Sequence, residues 1–134
     1  MIQLRLPLAV RRALIAHARR DRPRECCGLL IGTGGRVSHA IAMRNVAAGT
    51  ARYQLDPREH IAVRRILRGC SPALEIIGVY HSHPNGTARP SPTDLAAAHY
   101  PAWAYVIVGL RGGRAVVRAF QIRQRRPRQL RIGR

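Results

Sequence analysis

Two histidines and an aspartate have a spacing in the sequence that suits a metal ion. His81 and His83 follow an apolar segment, and side chains at i and i+2 of a strand point to the same face. Residues 84–90 include proline and glycine, so the chain can turn back and bring Asp94 to the histidines from the first turn of a helix. A hydrolytic zinc site needs three nitrogen, oxygen or sulfur ligands and a fourth position for water. The segment therefore predicts a Zn²⁺ site held by His81, His83 and Asp94.

Ser91 and Asp94 also have an interpretation that involves no metal. A serine followed three residues later by an acid is a common helix start, with Ser91 as the N-cap and Pro92 at the first helical position. Taken alone, these two residues favour helix capping. The histidines upstream favour the metal site, because capping does not need them.

Glu25 is the carboxylate best placed to serve as a general base, which peptide hydrolysis needs to move a proton from water to the leaving amine. Besides Asp94 and Glu25, the chain has four acids, which occupy a polar loop, a helix start and the far end of a strand: Asp21, Asp56, Glu59 and Glu75. Glu25 directly precedes an apolar strand, where an unpaired carboxylate is costly. Its position leaves two interpretations open, a catalytic base or a surface acid paired with an arginine.

The remaining histidines and the cysteines have structural interpretations. Structural or solvated roles are expected for His17, His39, His60 and His99. Cys26 and Cys27 suit small-residue packing. Together with Cys70 they form an odd set with two members adjacent, which is a poor disulfide framework and typical of a reducing compartment. We therefore expect a cytoplasmic protein.

The apolar and polar patterns predict alternating helices and strands around these residues. Helices are expected at 7–18, 56–69 and 91–99, and strands at 28–33, 36–43, 75–80, 103–110 and 115–122. Gly34 and Gly35 form the turn of the first hairpin. From Arg123 onward the chain is rich in arginine, glutamine and proline, and this tail is expected either to fray or to add an edge strand through Leu130 and Ile132.

Composition sets limits on domain number and on partners. A chain of 134 residues with 46% hydrophobic residues suits one domain. No run of about 18 apolar residues is present, which argues against a membrane helix, and no membrane partner is expected. The net charge of +18 comes entirely from arginine. It fits a negatively charged partner, which could be nucleic acid, a membrane surface or an acidic protein. Arginines spread along the whole chain also fit a GC-rich coding sequence, and aromatic residues for base stacking are scarce.

The motif resembles the complete signature of the JAMM, or MPN-plus, zinc metallopeptidases. The matching residues are His81-Ser-His83, seven residues, Ser91, two residues and Asp94, with an upstream Glu-Cys-Cys-Gly beginning at Glu25. The resemblance covers roughly residues 2–122. It implies an α/β fold: a single JAMM/MPN domain over 1–122 with a curved mixed sheet flanked by helices, similar to cytidine deaminases, followed by an arginine-rich tail over 123–134.

The resemblance also implies roles for the motif residues. It assigns His81, His83 and Asp94 as zinc ligands, Glu25 as the residue that activates water, and Ser91 as a donor to the oxyanion. The short chain resembles compact bacterial members that release cysteine from the C-terminus of a ubiquitin-like sulfur-carrier protein. An extended, glycine-ending tail is then expected to lie along a strand edge near the metal.

Several alternatives to this function stay open. The chain could be an isopeptidase, similar to deubiquitinases, acting on other ubiquitin-like conjugates. It could also be a basic module that binds nucleic acid or protein, or a scaffold in which zinc only holds the fold. Homodimer formation is left open as well.

Overall fold

The computed structural model describes residues 1–70 and 72–134 and contains seven strands, three α-helices and a short 3₁₀ turn. The strands are β1 (Gln3–Arg5), β2 (Cys27–Thr33), β3 (Arg36–Met43), β4 (Glu75–His83), β5 (Ala104–Gly109), β6 (Val116–Arg123) and β7 (Arg126–Gly133). The helices are α1 (Leu8–Asp21), α2 (Pro57–Arg68) and α3 (Pro92–Ala97), and the 3₁₀ turn is Arg111–Gly113. No helix in these two ranges is both long and apolar enough to span a membrane.

The strands form one mixed sheet in the order β1-β3-β2-β4-β5-β6-β7, and the sheet closes because β1 pairs with both β3 and β7. The β1–β3, β1–β7 and β4–β5 pairs are parallel, and the others are antiparallel. The prediction of an α/β domain with a curved mixed sheet and flanking helices is confirmed. The curvature goes further than predicted and produces a closed barrel.

The arginine-rich tail is an internal strand of this barrel. β7 is hydrogen-bonded to β6 on one side and to β1 on the other, with Gln3 opposite Arg131. Leu130 is buried, whereas Arg128 and Arg131 are exposed. The tail is therefore neither frayed nor an edge strand, since the β1 pairing, which the sequence did not reveal, covers its outer side.

Both faces of the central strands are buried. On β2, Leu30 packs in a cluster with Leu14 and Ala18 of α1, whereas Leu29 packs in a second cluster with Val63 of α2. A strand that is buried on both faces has a nearly continuous apolar sequence, and β2, β4 and β5 show this pattern. This packing fixes β4, whose last residues are His81, Ser82 and His83.

Candidate metal centre and active site

His81, His83 and Asp94 bring three potential metal donors to one point. β4 continues through His83, so the two imidazoles lie on one face of a strand, and their Nε2 atoms are 3.1 Å apart. Asp94 Oδ2 is 3.1 Å from Nε2 of His81 and 3.0 Å from Nε2 of His83. We call these three residues the donor cluster.

The geometry of the donor cluster fits a cation better than a hydrogen-bond network. A neutral imidazole carries a hydrogen on only one nitrogen, and Nδ1 of His83 donates to the Thr87 carbonyl, so a neutral His83 presents an Nε2 lone pair to the Asp94 carboxylate, which is an unfavourable contact. Ligand atoms about 2.1 Å from a tetrahedral zinc ion are roughly 3.4 Å apart, close to the spacing of this cluster. An ion among the three atoms would satisfy all of them at once.

The surroundings of the donor cluster hold its side chains in place. The Thr87 carbonyl accepts a hydrogen bond of 2.8 Å from Nδ1 of His83, which directs Nε2 toward Asp94. The His81 ring stacks on Tyr53, with ring centroids 4.2 Å apart. Nδ1 of His81 is buried without a hydrogen-bond partner among the described residues.

Ser91 and Asp94 form a helix cap and contribute to the donor cluster at the same time. Ser91 Oγ accepts a hydrogen bond of 3.1 Å from the Asp94 amide, and the Ser91 amide donates to Asp94 Oδ2 at 2.9 Å. The two interpretations of the sequence are therefore compatible, since one carboxylate oxygen serves both. Because Oγ accepts in the cap, the Ser91 hydroxyl hydrogen is free to donate elsewhere.

The pKa shifts of Asp94 and His81 favour the forms that bind a metal ion, whereas that of His83 does not. Burial acts to lower the pKa of His83, but hydrogen bonds with Asp94 and Thr87 outweigh burial and raise it. Burial acts to raise the pKa of Asp94, but hydrogen bonds from His81 and His83 outweigh it and hold that pKa well below its ordinary range. Burial is also the main cause of the lowered pKa of His81. An ionised carboxylate and a neutral buried imidazole are the forms that bind a divalent cation.

Glu25 lies beside the donor cluster as a buried carboxylate with an unpaired oxygen. Oε1 has no hydrogen-bond partner in the described part of the chain, and one carboxylate oxygen lies within 4.8 Å of a ring nitrogen of both His81 and His83. Burial is the main cause that raises the pKa of Glu25 from 4.5 to about 7. The alternative of a surface acid paired with an arginine does not fit this burial.

The pairing of β2 with β4 explains why Glu25 lies there. Cys27 is opposite His81 in the antiparallel register, and two hydrogen bonds between Cys26 and Ser82 continue the pairing by one residue. Glu25 therefore comes level with His83. The Asn45 side chain donates to the Glu25 carbonyl at 3.0 Å and holds the backbone from the other side.

A cleft of about 250 Å³ opens at these residues, and Glu25, His83 and Ser91 contribute to its lining. Thr50 and Ala51 also line it. We call this the site cleft. It gives a substrate access to the predicted base, one predicted metal ligand and the predicted oxyanion donor together.

Sequence reasoning missed two residues that support the site, Tyr53 against the His81 ring and Asn45 against the Glu25 backbone. Tyr53 and Asn45 lie in the segment between β3 and α2, which carries no motif of its own.

Two of the other histidines lie where a structural or solvated role was predicted. His17 is buried and contacts the Tyr80 hydroxyl at 2.7 Å, and His39 is exposed. Neither belongs to the donor cluster.

Most of the chain is similar to known proteins. Residues 7–123 match the family model described as prokaryotic homologs of the JAB domain. The chain is 40% identical over 101 residues to the CysO-cysteine peptidase of Mycobacterium tuberculosis, covering 74% of this chain and 68% of that protein. It is 36% identical over 116 residues to the desampylase of Haloferax volcanii, covering 80% and 82% respectively.

A solved structure supports the fold. The solution structure of protein DSY2949 from Desulfitobacterium hafniense is similar with a TM-score of 0.83 at 30% sequence identity, covering 98% of this chain and 91% of that one. The likeness therefore extends through β7, beyond the residues of the family model. The chain belongs to the family of prokaryotic homologs of the JAB domain and is a JAMM-type hydrolase.

Proposed function

We propose that this protein is a zinc peptidase that hydrolyses the amide bond at the C-terminus of a ubiquitin-like sulfur-carrier protein. The observation that carries this proposal is the donor cluster, in which two imidazole nitrogens and one carboxylate oxygen meet at 3.0–3.1 Å beside an unpaired, buried Glu25. Two nitrogens and one oxygen are a common ligand set for hydrolytic zinc. His81, His83 and Asp94 would hold the ion.

The residues around the donor cluster supply the proton transfers and the charge stabilisation. Zinc, when bound, supplies Lewis acidity that favours ionisation of water near neutral pH and polarises the scissile carbonyl. Glu25 accepts a proton from water and passes it to the leaving amine, and a pKa of about 7 suits both directions of transfer. The Ser91 hydroxyl, free on its donor side, stabilises the oxyanion of the tetrahedral intermediate.

The site cleft suggests how the carrier's tail binds. The closed barrel leaves no edge strand among the described residues, so the C-terminal tail of the carrier protein cannot add a strand to the main sheet. The segment between β3 and α2 is an alternative, because it forms a narrow antiparallel loop with a bridge between Asn45 and Leu55, and it brings Thr50 and Ala51 to the cleft. An extended glycine-ending tail fits beside this loop, with its backbone as the main point of recognition.

A second candidate is an isopeptidase acting on other ubiquitin-like conjugates. The 36% identity to the desampylase supports this candidate, and the 40% identity to the CysO-cysteine peptidase supports the first one to a similar degree. The two candidates differ in the leaving group, which is a free amino acid in the first and a lysine side chain of another protein in the second. The donor cluster and Glu25 serve both.

The decisive experiment presents the zinc-loaded protein with a sulfur-carrier protein that bears a C-terminal cysteine, and with the same carrier linked to a lysine side chain. Release of cysteine, followed by intact-protein mass spectrometry, supports the first candidate, and release of the lysine-linked protein alone supports the second. Removal of the metal with a chelator should abolish both reactions.

Glu25→Gln should retain zinc but lose turnover by roughly 10²–10⁴-fold. Glu75→Gln, at the exposed start of β4, is the matched control. Undiminished hydrolysis by Glu25→Gln would contradict the role of Glu25.

We also propose that the protein works in the reducing cytoplasm. Cys26, Cys27 and Cys70 are all free thiols, and the first two are buried. Thiol labelling of the denatured protein directly after cell lysis should modify all three, and any disulfide found there would contradict this location.

A further inference from the structure

A second cavity adjoins the site cleft, and three arginines line it. Its volume is about 230 Å³, and Arg89, Arg111 and Arg118 contribute to its walls. Gly86 lines both this cavity and the site cleft, so the two are neighbours across one residue of the loop that follows His83. We call this cavity the arginine pocket.

Close backbone contacts fix the arginine pocket relative to the donor cluster. The Arg111 amide donates a hydrogen bond of 3.2 Å to the Gly86 carbonyl. Gly109 at the end of β5 packs so tightly against the loop that a Cβ atom there would lie 2.5 Å from the Ala88 amide nitrogen. These contacts pack the loop that carries the pocket closely against the end of β5.

Among the described residues, no acidic side chain pairs with the charges of the arginine pocket. In the ranges 1–70 and 72–134, none of the three guanidinium groups forms an ion pair or a side-chain hydrogen bond. Arg89 and Arg111 are exposed, and Arg118 on β6 is half-buried. Guanidinium groups bind carboxylates through paired hydrogen bonds, and a cavity with three of them suits a small anionic group.

We infer that the arginine pocket binds the free α-carboxylate of the leaving group, which is the amino acid or peptide released from the carrier. This inference rests on the proposed function. A carrier tail that ends in glycine has no charge at the scissile bond, so the only carboxylate of the substrate close to the reaction is on the leaving side. The pocket makes the enzyme select conjugates that end in a free acid over lysine-linked conjugates with no carboxylate at that place.

A pair of substrates that differ only in this carboxylate tests the inference. A ubiquitin-like carrier ending in Gly-Gly is extended by one alanine, as the free acid or as the primary amide, and hydrolysis by the zinc-loaded protein is followed by mass spectrometry. We expect the KM for the amide to be about tenfold higher than that for the acid, equivalent to about 1.4 kcal/mol, with similar kcat. Arg118→Gln and, separately, Arg89→Gln should raise the KM for the acid toward that for the amide and leave the amide unchanged.

The controls separate this inference from the proposed function. Arg12→Gln removes the same charge from an exposed position on α1 and should keep the preference for the acid. Arg89 is exposed, so its substitution tests the pocket even if Arg118→Gln fails to fold. Equal KM values for acid and amide in the unmodified enzyme, or a preference that survives both pocket substitutions, overturn the arginine pocket alone. Absence of hydrolysis of both substrates overturns the proposed function and this inference with it.

Discussion

Substitution of Glu25 by glutamine should change how the stability of the metal-free protein depends on pH. Burial raises the pKa of the folded-state carboxyl from 4.5 to about 7. A carboxyl whose pKa is raised on folding contributes its full stability below the unfolded-state value and loses it as the pH rises through the folded-state value. Wild-type protein should therefore lose stability between about pH 4.5 and pH 7 from this group, and Glu25→Gln should not.

The magnitude follows from the difference between the two pKa values. A rise from 4.5 to about 7 corresponds to about 3 kcal/mol, at 1.36 kcal/mol for each pH unit. This is an upper figure, because water that enters the site cleft screens part of the charge. The free energy of unfolding of Glu25→Gln minus that of wild type should thus increase by as much as about 3 kcal/mol between pH 4.5 and pH 8.

Urea denaturation of the chelator-treated proteins at several pH values measures this difference directly. Both proteins share every other titratable group, so the difference reports Glu25 together with its electrostatic coupling to His83 and Asp94. Glu75→Gln serves as the control for loss of an exposed carboxylate, and its difference from wild type should stay nearly constant over the same range. A constant difference for Glu25→Gln as well would refute the reasoning, because the carboxylate would then be solvated or paired in solution.

Four further predictions address the metal, the oxyanion donor, the buried histidine and the surface charge. His81→Ala should contain no zinc by elemental analysis, whereas exposed His39→Ala should retain it. Ser91→Ala should keep zinc and lose about 1 kcal/mol of stability with its helix cap, but lower kcat by about 10²–10³-fold through the missing oxyanion donor. Burial lowers the pKa of His17, so wild type should lose stability as the pH falls below 6.5, and His17→Gln should show less of this loss in urea titrations. Any affinity for nucleic acid should be weak, and a logarithmic salt slope of about 0.9 per phosphate over many phosphates would instead favour a nucleic-acid-binding function.

The residues that are close in sequence were the most predictable part of the site. The spacing of His81 and His83 places both imidazoles on one strand face, and Asp94 lies in the first turn of the next helix. Local geometry was therefore enough to predict the three members of the donor cluster. For Glu25, elimination among the acids left two interpretations open and only the family resemblance assigned it a role, because its place beside His83 depends on how β2 pairs with β4. Sequence spacing carries no information on that register.

The features that the sequence did not reveal depend on contacts between distant segments. Closure of the barrel joins Gln3 to Arg131, and a three-residue strand such as β1 is too short to show a periodic pattern. The arginine pocket is similar, since Arg89, Arg111 and Arg118 come from three separate elements in a chain where arginine is common everywhere. Only the fold distinguishes these three from the rest.

Burial of the Glu25 carboxylate without a partner is unfavourable, and backbone contacts of β2 and β4 hold the residue in this position. Its backbone is held by the Asn45 side chain and by the paired hydrogen bonds between Cys26 and Ser82, all of which form whether or not residue 25 carries a charge. These contacts can therefore keep an unfavourable carboxylate beside His83 at a raised pKa. A base near neutral pH requires both burial and the absence of a partner, because an arginine at this place would lower the pKa again. Although the chain has 24 arginines, none of them forms an ion pair with Glu25 among the described residues, and a raised pKa of this kind is what the proposed proton transfer needs.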